Sequence, residues 1–236
     1  MSGAQDTMLY LNGVSVAFDG FKAINNLSII VNPAEMLAII GPNGAGKTTM
    51  MDIITGKTRP DAGDVMFDGR TDLTKLDEAS IANLGIGRKF QKPTVFESHT
   101  VWDNLEMALK KPRGIFATLF YTPSAEDTGR IAEILETVRL LHRKDELAAN
   151  LSHGQKQWLE IGMLLAQDPK LLLVDEPVAG MTDSETEETA KLLRKIANTR
   201  SVVVVEHDMS FVRELGSRVV CLAEGSVLAE GSLDQV

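Results

Sequence analysis

Short apolar runs alternate with longer amphipathic segments along most of the chain, and this alternation predicts an α/β protein. Three runs rich in Val, Leu and Ile have the length of buried parallel strands, and they occupy 36–40, 171–174 and 202–205. Residues 9–16 and 24–31 predict two further strands, and 64–67 predicts a short one. Strands at both ends of the chain therefore contribute to the core.

Segments with helical periodicity lie between these strands. Residues 48–55 follow the strand at 36–40 and predict a short helix. Apolar side chains fall on one helical face over 126–141, and 184–198 forms a charged amphipathic helix. Because 98–149 is helical in character as a whole, the pattern predicts a helical insertion in the middle of an α/β core.

Composition narrows the class of protein. The chain has 236 residues, 44% apolar and 24% charged, which is typical of a globular protein. Its net charge of −9 argues against general nucleic-acid binding. Cys221 is the single cysteine, so no internal disulfide can form, and no run reaches the ~20 apolar residues of a membrane helix. With no basic segment and apolar run at the N-terminus, we expect a cytosolic chain.

Residues Gly41–Thr48 read GPNGAGKT and fit the phosphate-binding pattern G-x-x-x-x-G-K-[ST]. A glycine-rich loop can direct several backbone N–H groups at one anion, and the following helix adds its positive N-terminal end. Lys47 is placed to reach the β- and γ-phosphates of a nucleotide, and the Thr48 hydroxyl can ligate Mg²⁺. The alternative is a glycine-rich turn that only caps a helix.

Polar residues follow two other apolar strands where each strand ends. Asp175 and Glu176 follow 171–174, and Glu206 and His207 follow 202–205. In open parallel sheets the carboxyl ends of the strands share one edge, where ligands bind. We therefore expect a nucleotide site at this edge of the sheet.

Three of these four side chains have a predicted role in that site. Asp175 would hold Mg²⁺, Glu176 would orient or deprotonate the attacking water, and His207 would bond the γ-phosphate or the water. An isolated Asp-Glu pair could equally cap a helix, and an isolated histidine could lie on the surface. The convergence of three strand ends favours the catalytic interpretation.

Residues 151–155 read LSHGQ and lie before the strand at 171–174. This segment opens a helix that we expect at about 155–166. This segment resembles the signature motif LSGGQ of the ATP-binding cassette (ABC) ATPases, and the order and spacing of the other motifs agree over nearly the whole chain. The resemblance implies a single cassette, residues 1–236, with a P-loop (RecA-like) parallel-sheet core and an N-terminal antiparallel β subdomain. The core would comprise 1–91 and 168–236, and an inserted α-helical subdomain carrying the signature would comprise 92–167.

The family pattern assigns roles to particular residues. Phe18 would stack on the adenine, and the catalytic residues would be Glu176, His207 and Gln91. The implied Mg²⁺ ligands are Thr48, Gln91 and Asp175. The other residues implied to contact ATP are Gly41, Asn43, Gly44, Ala45, Gly46, Lys47, Thr48, Thr49, Ser152, Gly154 and Gln155.

The resemblance also implies partners. In this family two cassettes face each other head to tail, and each ATP lies between the P-loop of one and the signature of the other. Ser152 and Gly154 would then contact the γ-phosphate held by a second ATPase subunit, either identical or related but distinct. The pair would sit on the cytoplasmic face of the cell membrane, bound to permease subunits through a surface that includes Gln91, Lys92, Pro93 and Phe96.

Within the family, the runs at 85–109, 151–165 and 176–185 resemble the ATPases of branched-chain amino-acid and urea importers. The phrases RKFQKPTVFE and LSHGQKQWLEIG are most similar to the urea-transport member. We therefore expect an ATPase that powers import of urea or a short amide. The alternatives are a branched-chain amino-acid importer and a lipid or lipopolysaccharide exporter. A cassette acting on ribosomes or DNA fits poorly with the charge of −9.

Four departures from the family pattern carry expectations of their own. His153 replaces a glycine of the signature, with no expected loss of activity. Thr182 stands where many members have an aspartate in the D-loop, which leaves the role of that loop open. Ala34 replaces a glycine and would be strained at positive φ. Relatives usually continue past the position of Val236, so we expect a truncated C-terminus.

Overall fold

A computed structural model of the protein describes residues 7–89, 94–110 and 124–236. Gln91, Lys92 and Pro93, to which the sequence assigns roles, lie outside the described residues. The strands are β1 (Leu9–Phe18), β2 (Phe21–Val31), β3 (Met36–Ile40), β4 (Ala62–Phe67), β5 (Thr71–Asp72), β6 (Ile86–Lys89), β7 (Leu171–Asp175), β8 (Ser201–Val205), β9 (Arg218–Ala223) and β10 (Ser226–Gly231). The helices are α1 (Lys47–Ile54), α2 (Glu78–Leu84), α3 (Val101–Ala108), α4 (Ala125–Thr137), α5 (His153–Ala166), α6 (Asp183–Ala197) and α7 (Met209–Leu215).

The described strands form two sheets. One has six strands in the order β10-β9-β3-β8-β7-β6, and the other has four in the order β2-β1-β4-β5. In the six-stranded sheet β6, β7, β8, β3 and β9 pair in parallel, and β10 pairs with β9 antiparallel. The second sheet is antiparallel throughout. This confirms the predicted α/β fold with a parallel-sheet core and an N-terminal antiparallel β part.

Alternate residues of the central strands enter two different hydrophobic cores. Leu171 and Leu173 pack with α1 and the antiparallel sheet, whereas Leu172 and Val174 pack with α3, α4, α5 and α6. Successive side chains of a strand point to opposite faces, so a strand between two layers must be apolar at every position. The helices between β6 and β7 thus share a core with the sheet. The predicted boundaries of a helical subdomain at 92 and 167 stay a prediction.

Some predicted boundaries were wrong for local reasons. The helix predicted over 126–141 ends at Thr137, because Arg139 adopts a left-handed conformation with φ 60°. The helix predicted from 155 begins at His153, because Ser152 and Gln155 form a capping box. Ala34 does adopt positive φ, at 51°, in the turn between β2 and β3. Within the described ranges, no helix combines the length and apolar character needed to cross a membrane.

Candidate functional site

A cleft of about 360 Å³ opens at the carboxyl edge of the six-stranded sheet, where β3 enters α1. Its lining confirms that the P-loop and the end of β7 meet at one place. The residues that line it are Phe18, Phe21, Ala23, Asn43, Gly44, Gly46, Lys47, Thr48, Thr49, Asp175, Glu176 and Val205. Seven of the residues predicted to bind ATP, namely Phe18, Asn43, Gly44, Gly46, Lys47, Thr48 and Thr49, therefore share a cavity with Asp175 and Glu176.

The loop between β3 and α1 holds its shape through glycines with two different functions. A methyl group on Gly41 would lie 2.2 Å from the Leu222 carbonyl oxygen, and one on Gly46 would lie 2.7 Å from that of Ala23. Both positions need glycine because the backbone is approached too closely for a side chain. Gly44 has φ 81° and faces open space, so its backbone is accessible from the cleft. Ala45 N–H donates to the Pro42 carbonyl within the loop at 3.1 Å. Successive backbone N–H groups in such a loop can surround an anion.

Lys47 and Ala45 complete the loop. The Lys47 ammonium donates to the carbonyl oxygens of Gly41 at 2.6 Å and Pro42 at 2.9 Å. Its long side chain lines the cleft, so a rotation about its flexible stem would bring the charge to a phosphate. Ala45 is buried and supports the loop from behind, where its carbonyl accepts from Gly225 N–H at 3.2 Å.

Asp175 is a buried carboxylate at the end of β7. Burial raises its pKa, and the Arg88 guanidinium 3.5 Å away opposes that shift. Arg88 also binds Asp52 of α1 at 2.5 Å, so it joins the P-loop helix to β7. The sequence reasoning missed Arg88, and its position inside a short strand gave no signal. A desolvated carboxylate and the Thr48 hydroxyl in one cleft are hard oxygen donors that suit Mg²⁺.

Glu176 adopts a left-handed backbone conformation with φ 44°, which is uncommon outside glycine and marks strain near a functional site. Its N–H donates to the Val205 carbonyl at 2.9 Å, which fixes the turn to the end of β8. His207 is exposed, and its Nδ1 lies 3.5 Å from Glu176 Oε1. The structure therefore brings the predicted catalytic glutamate and histidine into contact.

Glu206 anchors the backbone segments that follow β7 and β8. Its buried carboxylate accepts from the backbone N–H groups of His207 at 2.9 Å, Asp208 at 3.3 Å and Val178 at 3.4 Å. Burial raises its pKa, and these hydrogen bonds act in the opposite direction. The sequence correctly predicted that Glu206 lies at the carboxyl edge of the sheet, but it assigned no role to this residue.

Two aromatic rings border the cleft, although the sequence singled out only Phe18. Phe18 and Phe21 face each other as register partners at the turn between β1 and β2, and they are 48% and 67% exposed. Exposed aromatic rings beside a phosphate-binding loop offer faces on which a base can stack. The short hairpin between β1 and β2 could have indicated Phe21 as well, because it places Phe21 next to Phe18.

None of the described residues that line the cleft comes from 151–155. Ser152 is the N-cap of α5, and its Oγ accepts from Gln155 N–H at 3.2 Å. Gly154 is buried in the first turn of the same helix. The three predicted contacts of this segment, Ser152, Gly154 and Gln155, thus lie apart from the P-loop cavity of their own chain.

The chain is similar to known proteins over most of its length. Residues 24–179 match the profile of the family described as "ABC transporter". The chain is similar to the high-affinity branched-chain amino acid transport ATP-binding protein LivG of Escherichia coli K12, with 34% identity over 97% of this chain and 93% of the relative. It is 32% identical to the corresponding protein BraF of Pseudomonas aeruginosa, again over 97% of this chain and 93% of the relative.

Solved structures show the same fold. The ADP conformation of MJ1267, an ATP-binding cassette of an ABC transporter, superposes with a TM-score of 0.83 at 30% identity, covering 97% of this chain and 92% of that one. A dimeric post-hydrolysis state of the cassette MJ0796, bound to ADP and Pi, superposes with a TM-score of 0.79 at 28% identity. That match covers 96% of this chain and 99% of the other.

Proposed function

The chain belongs to the ABC transporter family as an ATP-binding subunit with ATPase activity, and we propose that it powers a membrane importer for branched-chain amino acids. It would work as one of two cassettes that close on ATP beneath a permease. The mechanism rests on one observation: the residues proposed to contact ATP lie at two separate places in the chain. P-loop, Asp175 and Glu176 line one cleft of the chain, whereas Ser152 and Gly154 lie outside it.

ATP binding in this proposal uses the P-loop first. Its N–H groups and the N-terminus of α1 surround the β-phosphate, and Lys47 leaves the Gly41 and Pro42 carbonyls to contact the phosphates. Thr48 and Asp175 would hold Mg²⁺, which when bound neutralises charge on the phosphates. Phe18, with Phe21 beside it, provides the aromatic face for the base.

Hydrolysis in this proposal uses Glu176 and His207. Glu176 Oε1 takes the proton of the attacking water, and His207 orients that carboxylate and contacts the γ-phosphate. Glu206 fixes the position of His207 by accepting a hydrogen bond from the His207 backbone N–H. Gln91 stays a predicted Mg²⁺ ligand and catalytic residue, because it lies outside the described residues.

A second cassette would complete each site. Ser152 and Gly154 at the start of α5 would donate to the γ-phosphate bound by the partner, and Gln155 would support them as part of the capping box. The dimeric MJ0796 structure with ADP and Pi supports this arrangement. The partner would be either a second copy or a related cassette.

The relatives favour the branched-chain amino-acid alternative over the urea expectation. LivG and BraF both carry branched-chain amino acid transport in their names, and they align over 97% of this chain. Nothing among these relatives supports urea or a lipid exporter. We place the chain on the cytoplasmic face of the membrane, bound to permease subunits. Phe96, half exposed beside α3, is the described residue of the predicted docking surface.

Uptake in the native host tests this proposal. Deletion of the gene that encodes this chain should abolish uptake of radiolabelled leucine at micromolar concentration and leave urea uptake intact. A gene that encodes the Asp175→Asn variant should not restore leucine uptake. Loss of urea uptake with intact leucine uptake would overturn the solute and keep the ATPase role. Unchanged uptake of both solutes would remove the importer assignment.

A further inference from the structure

Glu185, in the first turn of α6, touches the signature segment of its own chain. Its Oε1 accepts a hydrogen bond from Ser152 Oγ at 2.9 Å. A methyl group on Gly154 would lie 2.6 Å from the same oxygen, so the carboxylate lies directly against the backbone of Gly154. The anionic group of Glu185 thus contacts both residues that the proposed dimer directs at the partner's γ-phosphate.

This contact is separate from the helix cap of α6. Thr182 donates to Glu185 Oε2 through its N–H and through its Oγ1, each at 3.0 Å. Glu185 N–H donates in return to Thr182 Oγ1 at 3.3 Å, which completes the capping box. Oε1 is left for Ser152. The backbone hydrogen bond from Thr182 lowers the pKa of Glu185, and the Ser152 and Thr182 hydroxyls add to that shift, so the carboxylate is ionised at neutral pH.

The hydroxyl of Ser152 has only one proton to donate. Its oxygen accepts from Gln155 N–H at 3.2 Å, and its proton is used by Glu185. A hydrogen bond from Ser152 Oγ to a phosphate therefore requires that the bond to Glu185 breaks first. The carboxylate and a γ-phosphate are both ionised acceptors, so they compete directly for this one proton.

A second contact holds the same two segments together. His153 Nε2 lies 3.1 Å from the Ala179 carbonyl oxygen, and Gln157 Nε2 donates to that oxygen at 3.3 Å. Ala179 lies between Glu176 and α6, so the start of α5 is fixed to the segment that follows the catalytic glutamate. Two sets of contacts therefore hold the start of α5 near Glu185: the Ser152–Glu185 hydrogen bond and the contacts with the Ala179 carbonyl.

We propose that Glu185 is an intramolecular competitor of the partner's γ-phosphate, a carboxylate that occupies Ser152 and Gly154 until ATP displaces it. Its negative charge raises the ATP concentration at which two cassettes close, and so limits hydrolysis without a productive partner. The inference rests on the proposed ATP-dependent dimer. It assigns to Glu185 a regulatory role beyond capping α6.

The test measures dimer formation against Mg-ATP concentration with the full chain, in a Glu176→Gln background where hydrolysis is blocked. Glu185→Gln keeps a capping-box side chain at this position and removes the charge. We expect the midpoint ATP concentration for dimerisation to fall about threefold to tenfold, since charged hydrogen bonds are roughly twice as strong as neutral ones. Glu185→Met, which has no acceptor for Ser152, should shift the midpoint in the same direction.

The controls separate charge from structure. Glu187→Gln removes a carboxylate of the same helix that binds Lys191 at 2.5 Å, and it should leave the midpoint unchanged. The shift caused by Glu185→Gln should be larger at ~0.05 M than at ~0.5 M salt, because salt screens exposed charges. Thermal unfolding of Glu185→Gln should match that of its parent.

The two proposals fail in different ways. If the Glu176→Gln parent dimerises with ATP but Glu185→Gln leaves its midpoint unchanged or raises it, Glu185 is not a competitor and the dimer stands. If neither protein dimerises at any ATP concentration and with any co-purified partner cassette, the proposed two-cassette mechanism is wrong, and the role of Glu185 falls with it.

Discussion

The buried carboxylate of Glu206 accepts the backbone N–H of His207 at 2.9 Å, and its other oxygen accepts the N–H of Val178 at 3.4 Å. Val178 lies two residues after Glu176, the proposed catalytic glutamate. One carboxylate therefore ties the segment after β7 to the segment after β8. In the proposed mechanism His207 orients the Glu176 carboxylate, so the distance between these two side chains depends on this tie.

Replacing Glu206 by alanine should lower the rate of hydrolysis and spare nucleotide binding. The substitution leaves three backbone N–H groups without their acceptor and lets His207 move relative to Glu176. We expect kcat to fall roughly 10- to 100-fold, with the dissociation constant for ATP unchanged. Phosphate release and calorimetry measure the two quantities. Glu133→Ala on the exposed side of α4 is the control, and an equal loss of binding in Glu206→Ala would contradict the positioning role.

The sequence predicted the site where its signals were local. Apolar runs followed by polar residues located Asp175, Glu176 and His207, because a buried strand and its exposed end are adjacent in sequence. It could not place Arg88 between Asp52 and Asp175, since those contacts join three separate elements. The same applies to Glu185, whose contact with Ser152 spans 33 positions and depends on how α5 packs against α6.

Replacing Lys47 by alanine should weaken ATP binding at least tenfold. Lys47 lines the cleft, and its ammonium would be the point charge for the β- and γ-phosphates. A partly desolvated charge pair is worth several kcal/mol. Titration calorimetry with Mg-ATP measures the change. Lys75→Ala is a suitable control because Lys75 is exposed and binds only a neighbouring aspartate among the described residues, Asp72, at 2.9 Å. Equal affinities of the Lys47→Ala and wild-type proteins would remove the P-loop from the mechanism.

Glu176→Gln should bind ATP normally and nearly abolish its hydrolysis. The amide is close in shape to the carboxylate but cannot take the proton of water at neutral pH, and a general base contributes about 10²–10⁴ in rate. The variant should also accumulate as an ATP-bound dimer, whereas wild-type protein without nucleotide stays mostly monomeric. Phosphate release and sedimentation in the same buffer give both results. Release at the wild-type rate would show that another group is the base.

Lys89 of β6 and Glu160 of α5 form a buried ion pair, in which Nζ and Oε2 are 3.5 Å apart. Burial lowers the pKa of Lys89, and Glu160 is the largest influence in the opposite direction. Thr94 Oγ1 donates to Glu160 Oε1 at 3.0 Å, so Glu160→Gln keeps an acceptor for Thr94 and removes the charge that stabilises the ammonium. Removing one member of a buried pair costs about 3–5 kcal/mol, so the free energy of unfolding should fall by that order at pH 7.

The loss of stability in Glu160→Gln should shrink as the pH rises. A lysine whose pKa is lower in the folded than in the unfolded protein binds more protons when unfolded, so stability rises with pH up to the unfolded pKa of 10.5. Urea unfolding at pH 7 and pH 9 measures the difference, and adding Lys89→Met should recover most of it. Glu97→Gln breaks the pair between the exposed carboxylate of Glu97 and the partly buried Lys156 of α5, and it should cost about 1 kcal/mol or less at both pH values. A Glu160→Gln protein that unfolds at the wild-type urea concentration at pH 7 would show that this buried pair contributes nothing to the junction between β6 and α5.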